Sequence, residues 1–134
     1  MRKTVALCLL MLALSPLLAA QNLEKVKGVL FSNIAPGELE SEIVKALPAK
    51  IVFASESGVP YGGVYVRVFN EAGVAVFKHL CEKPWLFVKL AEGDYNVVAV
   101  DRKKVQRMAA FHVKKEGSGQ TVVKLKWPRE TVGY

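Results

Sequence analysis

Cysteine and histidine are scarce in this sequence of 134 residues, which contains two of each. Zinc and related metals need clusters of these residues at short spacing, and the only close group is His79, Cys81 and Glu82. Cys8 lies in an apolar amino-terminal run that is expected to be cleaved off, as described below. Cys81 is then the one cysteine left and has no partner for an internal disulfide. The fold must then depend on an apolar core, which a chain with 51% hydrophobic residues can supply.

The group around Cys81 is a weak candidate metal site. His79 and Cys81 are two residues apart, which places both side chains on one face of a strand, with Glu82 adjacent. A small secreted metal-binding protein or enzyme that uses these residues is therefore an alternative. A strand end of mixed composition is favoured, because no second cluster is present to complete four ligands. We expect no bound metal and no cofactor.

Catalytic motifs are also missing from the sequence. None of the serines lies in a Gly-x-Ser-x-Gly motif, and Ser118 between two glycines is typical of a turn. Phosphate-binding loops and dinucleotide fingerprints are absent. Glu92 and Asp94 flank a glycine and are typical of turn acids rather than of a catalytic pair. We therefore predict that the protein is not an enzyme and has no catalytic residues.

The first twenty residues have the pattern of a secretory signal peptide. Arg2 and Lys3 precede an apolar run over 5–14, a proline interrupts the run, and cleavage is expected after Ala20. The stretch over 5–20 is shorter than the roughly 20 apolar residues that a spanning helix needs, so cleavage is favoured over anchoring. The protein is predicted to be exported, either periplasmic or secreted, with no transmembrane segment after cleavage and no nucleic-acid partner.

Beyond residue 48 the apolar residues alternate with polar ones, and turn residues recur at short intervals. One strand is predicted before that point, at 28–34. After it, strands are predicted at 50–55, 64–69 and 74–80, then one that starts at residue 83, and three more at 95–100, 105–113 and 121–127. This pattern predicts a mainly β fold, an antiparallel β-sandwich of about seven strands, with a small barrel as the alternative. Neither a repeat nor a linker is present, so residues 21–134 are predicted to form one domain.

One helix is predicted between the first two strands. Pro36 suits a first helical position and Pro48 ends the element. Between them, apolar residues recur at helical spacing at Leu39, Ile43, Val44 and Leu47. We expect this helix to pack on the sandwich through its apolar side.

Aromatic residues lie on the second face of two predicted strands. Tyr65 and Phe69 alternate with valines, and Trp85 and Phe87 alternate with aliphatic residues. If these second faces point outward, Tyr65 and Trp85 belong to a partner-binding surface. The favoured alternative is that the predicted helix covers them.

The segment over 61–127 combines a strand of alternating valines, a glycine turn and the pattern Leu90-x-x-Gly93-x-Tyr95-x-Val97. Gly93 permits a tight turn, and Tyr95 can bury its ring against the opposite sheet while its hydroxyl bonds a backbone group at the corner. This segment resembles the carboxypeptidase regulatory-like domains, which are transthyretin-related, seven-stranded sandwiches found in secreted bacterial proteins. The resemblance implies a non-enzymatic spacer, stability module or binding surface, and it specifies fold rather than chemistry.

Lys and Arg outnumber Asp and Glu by 19 to 12, and the excess is concentrated near the carboxyl end. This charge can serve solubility alone, or it can attract an anionic surface or an acidic protein. Two turns, expected to be adjacent, and the last strand hold the basic residues considered for a partner surface: Arg102, Lys103, Lys104, Lys114, Lys115, Lys124 and Lys126.

Together these features predict an exported, non-catalytic binding or structural module of the cell envelope. Its expected partner is an envelope protein or an anionic surface. The alternatives are the metal-binding protein or enzyme described above and an anionic-surface binder that uses the basic residues. Binding to acidic vesicles that weakens steeply with salt would identify the last of these.

Overall fold

The computed structural model describes residues 24–26, 28–38 and 41–128, which form two packed β-sheets and a short helix. The elements are β1 (Glu24–Val26), β2 (Val29–Ile34), α1 (Glu42–Lys45), β3 (Ala49–Ser55), β4 (Val64–Phe69), β5 (Ala75–Cys81), β6 (Trp85–Val88), β7 (Gly93–Val100), β8 (Gln106–Val113) and β9 (Thr121–Trp127). The five-stranded sheet has the order β1-β2-β6-β3-β9, and the four-stranded sheet has the order β5-β4-β7-β8. The predicted mainly β sandwich is confirmed.

Alternating side chains fill the space between the two sheets. In β4, Val64, Val66 and Val68 are fully buried, whereas Tyr65 between them is 41% exposed. Strands β3 and β9 alternate in the same way. Removing this apolar surface from water, at roughly 25 cal/mol per Å², provides the main stabilisation. The largest fully buried side chains in this apolar core between the sheets are Trp127, Phe31, Phe53, Phe77, Ile51 and Leu86.

The predicted hairpin over 64–80 is present, with β4 and β5 paired antiparallel. Its turn is held by Asn70, whose Oδ1 accepts hydrogen bonds from the N–H groups of Ala72 and Val74, each at 3.0 Å. Gly73 has a φ of +78°, in the left-handed region that favours glycine. The turn chemistry therefore fixes which residues of β4 and β5 lie opposite each other.

One strand pair departs from the predicted antiparallel arrangement. β9 runs parallel to β3 along its whole length, and the turn after β8 carries the chain from the four-stranded to the five-stranded sheet. Side-chain hydrogen bonds connect β8 with β9, although the two strands belong to different sheets. Arg107 Nε donates to the Lys126 carbonyl and Thr121 Oγ1 donates to the His112 carbonyl, each at 2.8 Å.

The helix is much shorter than the sequence predicts. Helical geometry is described only over Glu42–Lys45, whereas a start at Pro36 was expected. Gly37 has a φ of +94°, which is incompatible with a helix. Glu38 accepts a hydrogen bond from the Ala35 N–H at 2.9 Å, so 35–38 form a turn. The prediction of a helix starting at Pro36 is therefore wrong.

The side of α1 that packs on the sheet also differs from the prediction. Ser41 caps the helix by accepting a hydrogen bond from the Val44 N–H at 3.2 Å. Val44 and Leu47 are buried, but Ile43 is 40% exposed. Leu39 lies outside the described residues.

Asp101 closes one end of the sandwich. Its carboxylate is buried and accepts hydrogen bonds from the Tyr61 hydroxyl at 2.6 Å, the Lys103 N–H at 2.9 Å and the Val105 N–H at 2.8 Å. The Trp127 indole N–H donates to the Val105 carbonyl at 2.9 Å, and its ring stacks on Tyr61. The turn after β7 is thereby tied to the end of β9.

The described part of the chain contains no helix with the length and apolar character needed to cross a membrane. The predicted signal peptide and its cleavage after Ala20 lie outside the described residues.

Candidate binding face

The outer face of the five-stranded sheet is largely covered. Ile34 and Phe87 on this face pack with Val44 and Leu47 in a second apolar cluster, and Trp85 packs against it. The α1 region thus covers this sheet, as the favoured alternative expected for Trp85 and Phe87. It does not extend to Tyr65, which lies on the other sheet.

Lys50 further restricts access to Trp85. Its ammonium lies 3.9 Å from the centroid of the indole ring, in cation–π geometry. Trp85 is half-buried, and a ligand would have to displace Lys50 to stack on this ring. Trp85 is therefore a poorer contact residue than the sequence suggested.

The outer face of the four-stranded sheet exposes apolar side chains instead. Tyr65 is 41% exposed, Leu80 is 50% exposed and Met108 is 65% exposed. We name this surface the open face and define it by eight of its outward-facing residues, which are Tyr65, Arg67, Phe69, Lys78, Leu80, Val98, Val100 and Met108. Gln106, Asn96 and Ala110 lie beside them on the same side of the sheet.

Strand register arranges the open face in rows. Tyr65 on β4 pairs with Leu80 on β5 and with Val100 on β7, which gives an apolar row. Paired strands are about 4.8 Å apart, so these side chains touch or nearly touch. The row forms a contiguous apolar strip across three strands.

The next row contains the positive charge of the open face. Arg67 on β4 lies opposite Lys78 on β5 and opposite Val98 on β7, which in turn lies opposite Met108 on β8. Arg67 Nε is buried and has no hydrogen-bond partner, while the guanidinium carbon lies 5.7 Å from the Phe69 ring centroid. A cation is thus embedded in an apolar surface.

The carboxylates of the described residues that form ion pairs do so away from Arg67 and Lys78. Glu82 forms an ion pair with Arg102 at 3.2 Å, and Asp94 Oδ1 is hydrogen-bonded to His112 Nδ1 at 2.7 Å. The other two ion pairs join Lys45 to Glu42 and Lys83 to Glu38. Neither Arg67 nor Lys78 forms an ion pair with any of the described residues.

The basic residues considered from the sequence do not form one patch. Arg102, Lys103 and Lys104 lie in the turn before β8, and Lys114 and Lys115 follow β8 at its other end. A strand of this length separates the two turns by about 25 Å. The remaining two, Lys124 and Lys126, lie on the outward side of β9 in the other sheet.

The candidate metal ligands do not converge either. Cys81 is fully buried, and desolvation, with a smaller contribution from the charge of Glu82, raises the pKa of its thiol. His79 packs its ring 4.5 Å from the Phe31 ring centroid, and Glu82 binds Arg102. Within the residues that the structure describes, no group of three or more His, Cys, Asp or Glu could hold a metal ion.

A groove of about 1120 Å³ lies between α1 and the turns that follow β6 and β8. Charged residues of both signs line it: Lys45, Lys89, Lys114, Lys115, Glu42, Glu92 and Glu116. Because both signs of charge are present, the lining does not point to one class of ligand, and we prefer the open face as the candidate site.

Sequence reasoning found Tyr65 but missed Arg67, Leu80 and Met108. Alternation with buried neighbours could have placed all three on an outer face, as it did for Tyr65. Arg67 lies opposite Lys78 because of the register between β4 and β5. Alternation in the sequence does not reveal this register.

Comparisons of the chain with protein-family models, curated proteins and solved structures found no match.

Proposed function

We propose that this protein is an exported, non-catalytic binding module of the cell envelope that holds a protein partner on the open face. The observation that carries the proposal is the exposure of Tyr65, Leu80 and Met108 together on one sheet face. The resemblance to carboxypeptidase regulatory-like domains supports a binding role. The amino-terminal pattern that ends at Ala20 supports export.

The composition of the open face suits a protein interface. Tyr, Phe, Met and Arg are enriched at such interfaces. On the other outer face, the α1 region packs on residues of β2 and β6, which include Ile34 and Phe87. A buried thiol and an apolar core suit an oxidising compartment, since neither needs a disulfide.

The proposal is tested by matched substitutions on the two sheets. Leu80 and Val122 are exposed to nearly the same extent, 50% and 53%, but only Leu80 lies on the open face. The tagged full chain and its Leu80→Ser and Val122→Ser variants are expressed, crosslinked mildly in intact cells and purified, and co-purifying proteins are quantified.

We expect one envelope protein to be recovered with the wild-type chain and with Val122→Ser, and to fall by roughly tenfold with Leu80→Ser. Equal recovery with all three chains would contradict the proposal. Loss with Val122→Ser alone would place the binding surface on the other sheet.

A further inference from the structure

We infer that the open face recognises an acidic segment of a partner protein, with a carboxylate held by Arg67 and Lys78 and apolar neighbours placed on Tyr65, Leu80 and Met108. The inference rests on the proposed function and names the chemistry of the partner. Two independent features of the open face carry it, and both concern Arg67.

The first feature is the pairing of like charges. Arg67 and Lys78 are directly opposite each other on adjacent antiparallel strands. Like charges at such positions destabilise a sheet, and the adjacent positions on β4 and β7 hold Tyr65, Phe69 and Val98 rather than a carboxylate. An anion supplied by a partner would convert this repulsion into attraction.

The second feature is the burial of Arg67 Nε without a hydrogen-bond partner. A buried, unsatisfied donor on a charged side chain is costly. The Arg67 guanidinium forms no ion pair with any residue in the described part of the chain. Arginine is well suited to planar, two-pronged recognition of carboxylates.

Other occupants fit the open face less well. A second copy stacked about a two-fold axis would bring Arg67 and Lys78 towards the same cations of its mate. An anionic membrane gains only about 1 kcal/mol per basic residue, and the residues that define the open face include two cations among apolar side chains. An acidic protein segment satisfies both the charge and the apolar area.

The probe is a library of random decapeptides displayed on phage and selected against the exported, purified protein. Selected peptides are synthesised, and their affinity is measured for the wild type, Lys78→Glu and Lys124→Glu. Both lysines lie on outward strand positions, both substitutions change the charge equally, and the two sites belong to different sheets. Lys78→Glu supplies Arg67 with an internal carboxylate.

We expect selected peptides to share an acidic residue between apolar ones. Lys78→Glu should weaken their binding roughly tenfold or more, while it raises the melting temperature by about 1–4 °C because repulsion is replaced by attraction. Lys124→Glu should neither weaken peptide binding nor raise the melting temperature. Peptide binding should also weaken with salt.

The two levels of the proposal fail in different ways. Peptides without acidic residues that bind through Leu80, as judged with Leu80→Ser, would overturn the inference and leave the proposed function standing. Lys78-dependent binding to phosphatidylglycerol vesicles in place of peptides, or a dimer broken by Lys78→Glu, would also overturn it. Peptides that bind the Leu80→Ser variant with the same affinity as the wild type would contradict both the inference and the proposed function.

Discussion

The Tyr95 hydroxyl donates a hydrogen bond to the Ala91 carbonyl, 2.7 Å away, across the turn that leads into β7. The Tyr95 ring is buried and stacks on Phe111 of β8, with the two planes 22° apart. This geometry confirms the expectation from the sequence that the ring is buried and the hydroxyl bonds a backbone group. One residue thus ties a turn to the core.

Replacing Tyr95 with Phe should keep the ring packing and remove only this hydrogen bond. We expect the free energy of unfolding to fall by about 1 kcal/mol, measured by urea denaturation, because the Ala91 carbonyl loses its donor. Tyr65→Phe is the matched control, and it should change the free energy by less than about 0.5 kcal/mol since Tyr65 is on the exposed face. Equal effects of the two substitutions would contradict the role of Tyr95.

Asp101→Ala should be far more damaging than Asp101→Asn. The alanine variant removes three hydrogen bonds, from the Lys103 N–H, the Val105 N–H and the Tyr61 hydroxyl, and should lower the free energy of unfolding by about 2–4 kcal/mol. The asparagine variant keeps an acceptor oxygen for the two N–H groups and should lose about half as much or less. Chemical denaturation of both variants measures the difference, and similar losses would show that the hydrogen bonds are unimportant.

Cys81 should behave as a core residue rather than as a reactive thiol. Burial raises the pKa of the Cys81 thiol far above its ordinary range, so thiolate is absent at neutral pH. A disulfide reagent such as dithionitrobenzoate at pH 8 should leave Cys81 unmodified in the native protein and should label Cys81 fully in urea. Rapid labelling of Cys81 in the native protein would contradict the buried position.

The same raised pKa predicts how Cys81 affects stability at high pH. The unfolded thiol ionises as pH rises through its ordinary value near 9, while the folded thiol remains neutral. The contribution of the buried, neutral Cys81 thiol to the free energy of unfolding is therefore fully present below that pH and declines above it. Cys81→Ala should lower stability at neutral pH but reduce the further loss between pH 8 and pH 10.

Glu38 offers a test at low pH. The Lys83 ammonium, 2.7 Å away, lowers the pKa of the Glu38 carboxyl, with a smaller contribution from the Ala35 N–H. Because the folded pKa is depressed, this stabilisation is present above the ordinary glutamate pKa and disappears as pH falls through the folded value. In a carboxyl-detected NMR titration, Lys83→Gln should raise the pKa of Glu38, and an unchanged pKa would exclude the ion pair in solution.

The strands could be predicted because burial of one face imposes alternation on the sequence. The expected limits over 64–69 and 121–127 match β4 and β9. The helix was extended too far because apolar spacing does not register the left-handed conformation of Gly37. The parallel pairing of β3 and β9 could not be predicted, since alternation is the same in parallel and antiparallel neighbours of a half-buried sheet.

The candidate site was predictable only in part. Tyr65 follows from alternation, but the lysines near the carboxyl end are close in sequence and separated in space, because β8 lies between two of the groups. The meeting of Arg67 with Lys78 depends on the turn after β4 and on the register shift beyond Val68. Such long-range register is set by turn geometry and by core packing together.

The open face is tested most directly by a photo-reactive phenylalanine analogue placed at Met108, with Val122 as the control position on the other sheet. Both side chains are more than half exposed, at 65% and 53%, so neither replacement disturbs the core. Irradiation of intact cells that express the protein should join the Met108 position to one partner and leave the Val122 position unjoined. The same crosslink from Val122, with none from Met108, would show that the partner binds elsewhere on the sandwich.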